Sequence, residues 1–61
     1  MKVAKGWMEL VQNSDNSPIF IKNDHIIGFY KEGNHTVILL SSGGFVIVNE
    51  TPEDIMYELE R

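Results

Sequence analysis

Thr36-Val37-Ile38-Leu39-Leu40-Ser41-Ser42-Gly43-Gly44-Phe45-Val46-Ile47-Val48 is the stretch that decides the fold. Two short apolar runs, rich in β-branched and aromatic residues, flank a Ser-Ser-Gly-Gly turn signal. Each run has ordinary strand length and is too short for a convincing helix. The spacing predicts an antiparallel hairpin in which Gly43 or Gly44 supplies the positive φ of a tight turn. A phosphate-binding loop is a poor alternative, because no Lys-Ser/Thr follows the glycines and the next element is a strand. Both runs are apolar on both faces, whereas a half-buried strand alternates apolar and polar residues.

The same texture extends outward. Trp7 to Gln12, Pro18 to Lys22 and His25 to Tyr30 are further strand-like runs, separated by polar turns at Asn13 to Pro18 and Glu32 to His35. Together with Thr36 to Leu40 and Phe45 to Val48 they predict a mainly β protein. Its core would be an antiparallel meander of about five short strands. The period changes at the end. Thr51 is a good N-cap, Pro52 suits the first helical position, and Glu53 and Asp54 favour the positive end of the helix dipole. Asp54, three residues after Thr51, makes a shortened capping box. Ile55, Met56 and Leu59 form the expected docking stripe of one C-terminal helix, which is too short to stand without the sheet.

Sixty-one residues make a single domain, 1–61. A domain this small buries only about 60% of the surface of its unfolded chain. Without cysteines it has no disulfide or thiolate zinc to compensate. With 43% hydrophobic residues and a net charge of −4 it is not a disordered tail. No apolar run reaches membrane-spanning length, and Met1 to Met8 lack the apolar region of a secretory signal. A cytoplasmic protein is therefore expected. One short helix covers part of one sheet face. Either the sheet curls into a small barrel, or a second copy of the chain buries the other face. The second solution is favoured, with Ile38, Leu40, Val46 and Val48 as interface candidates. A one-residue register shift would exchange them for Val37, Leu39, Phe45 and Ile47.

Catalytic signals are weak. His25 and His35 show no metal-ligand spacing, so no metal is expected. Ser41 and Ser42 lack a nucleophile-elbow motif. Glu53/Asp54 and Glu58/Glu60 read as a solvated helix face. No cofactor is implied, and an enzyme is not expected. Lys2, Lys5, Lys22, Lys31 and Arg61 are scattered among nine acids, which makes nucleic acid an unfavoured partner. Lys2 and Lys5 with Lys22 or Lys31 could form a small basic edge.

Ile19 to Leu59 resembles the FlbD family of small flagellar and swarming-motility proteins and their short bacterial and phage relatives. The shared features are Asn23-Asp24-x-Ile26, Thr36-Val37-Ile38-Leu39, the Gly43-Gly44 turn, Phe45-Val46-Ile47-Val48, and Glu50-Thr51-Pro52-Glu53-Asp54-Ile55 opening the helix. The Asn13 to Pro18 loop and the Trp7 segment depart from that pattern. The resemblance implies a non-enzymatic accessory protein acting through protein–protein interaction. Pro18 to Ile21, Asp24-x-Ile26 and Glu53 to Tyr57 are similar, more loosely, to the carbon-storage regulator family, which implies a small RNA-binding homodimer as the alternative. That family carries a basic residue before its helix, where this chain has Asn49-Glu50-Thr51.

Overall fold

A computed structural model describes residues 3–60. The chain runs β1 (Val3–Ala4), β2 (Trp7–Val11), β3 (Pro18–Lys22), a 3-10 turn (Asn23–His25), β4 (Ile26–Glu32), β5 (His35–Leu40), β6 (Phe45–Val48) and α1 (Pro52–Glu60). The protein is mainly β, with the five expected strands, one two-residue strand before them, and the C-terminal helix. The strands divide into two antiparallel sheets, β1-β2-β3 and β4-β5-β6. They do not close into a barrel. The sheets touch at a bridge between Gln12 and Val48, flanked by hydrogen bonds from the Asn13 N–H to the Ile47 carbonyl and from the Asn49 N–H to the Val11 carbonyl.

The division between sheets has a local cause. At the 3-10 turn the Asn23 N–H is held by the Gly6 carbonyl, and the His25 carbonyl by the Ser41 N–H. The chain therefore leaves one sheet and enters the other without pairing β3 to β4. Just beyond, the β4–β5 register shifts between Ile26 and Gly28. This bulge at Ile27 inserts one residue, so Ile26 and Phe29 both face inward although an odd spacing separates them.

The turns follow their residues. Gly33, at φ 62°, opens the two-residue loop between the paired Glu32 and His35. Gly43 has φ 98°, a conformation that strains any residue with a Cβ. The connection is one residue longer than a two-residue turn. The Gly43 N–H bonds to the Leu40 carbonyl and the Leu40 N–H to the Gly44 carbonyl, enclosing residues 41–43 with the glycine in the bulge position.

One core joins all the layers. Met8, Leu10 and Ile21 from the first sheet, Ile38 and Val48 from the second, and Ile55 from α1 are buried together. Ile19, Ile26, Phe29, Leu40, Val46 and Leu59 pack around them. The helix start is a reciprocal capping box: the Asp54 N–H bonds to Thr51 Oγ1 at 3.1 Å and the Thr51 N–H to Asp54 Oδ2 at 3.3 Å. Of the expected docking stripe, Ile55 is buried and Leu59 packs on the core, but Met56 is exposed. Helical geometry explains the correction. With Ile55 and Leu59 inward at an i,i+4 spacing, position 56 turns about 100° away from Ile55 toward solvent.

Candidate interaction surfaces

The two faces of β4-β5-β6 carry similar chemistry with opposite fates. Ile38 and Val48 have no exposed surface, and Leu40 and Val46 pack against the same core. These four were the interface candidates. The structure corrects their placement: they face the core, because this register aligns Phe29, Ile38 and Val46 across the sheet beneath α1. The alternate set lies outward. Gly28, Leu39 and Phe45 form one cross-strand row, and Tyr30, Val37 and Ile47 the next. Leu39 is 38% exposed, Tyr30 50% and Phe45 61%, while Val37, the middle of its row, is buried. Ile27 stands exposed at the bulge beside the first row.

Thr36, on the inner face, is the one fully buried polar side chain among the described residues. Its hydroxyl donates to the Glu50 carbonyl at 2.7 Å. The Glu50 carboxylate in turn accepts the Val11 N–H at 3.0 and 3.2 Å. Glu50 therefore pins the segment before α1 to both sheets, a role sequence reading missed. Its only signal was an acid directly before the N-cap. Nearby, Asn49 bridges the β2–β3 loop, accepting from Asn13 Nδ2 at 2.8 Å and donating to Asn16 Oδ1 at 3.0 Å. In that loop Asp15 accepts the Ser17 hydroxyl and N–H, and these bonds hold its carboxyl below the ordinary aspartate value.

Two of the clefts among the described residues bear on chemistry. One, of about 530 Å3, is lined by Asn49, Glu50, Asp54, Tyr57 and Glu58. Two of its three carboxylates serve the fold: Glu50 holds Val11, and Asp54 closes the capping box. The other, of about 260 Å3, is lined by Trp7, Phe20, Ile21, Lys22, His25, Leu40, Ser41 and Ser42. Here His25 Nδ1 lies 3.0 Å from Ser41 Oγ. Nucleophilic chemistry at this pair would need an acid orienting the imidazole and free amide donors for an oxyanion. No acid is bonded to His25 among the described residues. The Gly43 N–H is bonded to Leu40, and the Gly44 N–H makes a long 3.5 Å contact to Ser42 Oγ. The His–Ser bond, together with the Ser41 N–H, ties the 3-10 turn to the β5–β6 hairpin.

His35 opens β5, away from His25. Among the described residues no three His, Cys, Asp or Glu side chains are grouped to hold a metal ion. No helix there is long and apolar enough to cross a membrane. Lys5 and Lys22 lie near Trp7, whereas Lys31 lies in β4, and Lys2 and Arg61 fall outside the described residues. Comparison with protein-family models, curated proteins and solved structures finds no match for this chain.

Proposed function

We propose that this chain is a non-enzymatic interaction module that associates with itself through the outer face of β4-β5-β6. The observation that carries the reading is the pair of outward apolar rows, Gly28-Leu39-Phe45 and Tyr30-Val37-Ile47. An aromatic side chain has roughly 150–250 Å2 of surface. Phe45 and Tyr30, more than half and half exposed, therefore present on the order of 200 Å2 between them. Adding Ile27 and Leu39 brings the patch to a few hundred Å2, the size of the largest apolar patch on a typical monomer, which is often a functional contact surface. A second copy stacked face to face across a two-fold axis would bury identical rows on both chains. The resemblance to small flagellar, swarming-motility and phage proteins supports a cytoplasmic accessory role for such an assembly.

Light scattering across a concentration series tests this. The wild type should have a mass that is a multiple of the monomer's, and Leu39→Lys/Phe45→Lys should be folded and lighter. A wild type that stays monomeric at high concentration would overturn the reading.

A further inference from the structure

The cleft between Trp7 and Phe20 lies on a different surface and has its own consequence. We propose that it seats the outward face of α1 from a second copy of this chain, a head-to-tail contact independent of the sheet-face association.

The cleft is lined by both apolar and polar side chains. Trp7 and Phe20 project from the outer face of β2-β3 and are exposed. Ile21 and Leu40 join them in the lining, and Lys22, His25, Ser41 and Ser42 add polar groups. At about 260 Å3 it falls below the roughly 300 Å3 at which small-molecule sites begin, so it is sized for one or two protein side chains. No residue of α1 lines it.

The occupant is written on the other side of the chain. Glu53, Met56, Tyr57 and Glu60 are related by i,i+3 and i,i+4 spacings and share one face of α1, opposite the buried Ile55. Met56 and Tyr57 are exposed there, two apolar anchors bracketed by two acids. Residues 50–60 contain five acids and no Lys or Arg, whereas residues 1–31 hold four Lys and three acids. Lys22, directly opposite Trp7 in the β2–β3 pairing, lines the cleft with positive charge, and Lys5 precedes Trp7 by two residues, while Glu9, opposite Phe20, puts one acid on the same face. Tyr57 entering between Trp7 and Phe20 would make aromatic contacts, while Glu53 and Glu60 approach Lys22 and Lys5. Nucleic acid fits less well: there are two stacking platforms, one lining lysine and a net charge of −4. Because the two surfaces differ, the contact is heterologous and propagates into a ring or an open chain.

Trp7 is the sole tryptophan, so its emission reports on the cleft directly. The test mixes two variants altered only at exposed positions. Trp7→Ser/Phe20→Ser lacks the cleft and keeps the helix face. Met56→Ser/Tyr57→Ser lacks the helix face and keeps the cleft. Titrating the first into the second should shift Trp7 emission to the blue, saturating at one to one. Titrating in a chain carrying all four substitutions should leave the emission unchanged, which separates this contact from sheet-face association. Added salt or Lys22→Glu should weaken the shift. No shift in the complementing mixture overturns the proposal. So does an equal shift with the quadruple variant, or quenching of Trp7 by single-stranded RNA in place of the complementing chain. Failure of the sheet-face reading would appear separately, as a monomer mass by light scattering for the Met56→Ser/Tyr57→Ser chain, which lacks the helix face and keeps Leu39 and Phe45.

Discussion

The inner and outer faces of β4-β5-β6 are built from nearly the same residue types. Ile38, Val46 and Val48 differ little in chemistry from Leu39, Ile47 and Phe45, yet one set makes the core and the other faces solvent. Hydrophobicity therefore decides that both faces need cover, and something else decides which cover each receives. That deciding feature is placement: the bulge at Ile27 and the docking of Ile55 direct the helix and the first sheet to one side. The opposite face is left with Leu39, Tyr30 and Phe45 exposed, around a buried Val37.

The largest effect that could break this comparison is charge placed on each face in turn. Ile38→Lys/Val46→Lys buries ammonium groups without partners, at a cost of several kcal/mol. A domain of this size has only about 3–9 kcal/mol of stability at roughly 0.05–0.15 kcal/mol per residue. Its far-ultraviolet circular dichroism should show no cooperative melt, while Leu39→Lys/Phe45→Lys melts cooperatively. Equal behaviour of the two would mean the faces are assigned wrongly.

The helix offers the same contrast at smaller scale. Ile55→Ala should destabilise by about 2–5 kcal/mol, because it empties a fully buried site. Met56→Ala should change stability by no more than about 0.5 kcal/mol in the isolated protomer. Leu59→Ala should fall between them, since Leu59 is only half-buried. Urea denaturation midpoints rank the three, and a Met56 effect as large as that of Ile55 would put the helix in a different rotation.

Thr36→Val sharpens the reading of the inner face. It keeps the shape and removes the hydroxyl that satisfies the Glu50 carbonyl, so a loss of about 1–3 kcal/mol is expected. An unchanged denaturation midpoint would mean the Glu50 segment is not held by this bond. A further effect of similar size lies in the hairpin that sets the register of both faces. Gly43→Val forces a β-branched residue to φ 98° and should cost about 1–2 kcal/mol. Gly44→Val meets only an ordinary contact with Ser42 Oγ at 3.7 Å and should cost less. Thermal melts of the two variants give the order, and its reversal would place the turn one residue away.

The periodic and local features were legible because their causes lie within a few residues. Short β-branched runs, glycine turns, and the Thr51-Pro52-Glu53-Asp54 start each follow from propensity and capping. The five strands, the single helix, a positive φ at Gly43 or Gly44 and the capping box could thus be read from the chain, and the structure assigns the φ to Gly43. The inner set of residues could not. Side chains alternate with a period of two, so a one-residue shift exchanges the faces, and the Ile27 bulge is such a shift. Long-range partners were equally hidden: the Glu50 carboxylate meets the Val11 N–H across 39 positions of sequence. The cleft between Trp7 and Phe20 exists because Leu40, Ser41 and Ser42, from the other sheet, complete its lining. By itself the sequence determined which segments are strands, where they turn, and that apolar surface exceeds what one short helix can cover. Only the tertiary structure decided which surface that is, because face identity depends on register and packing between distant segments, and neither is a property of any local stretch.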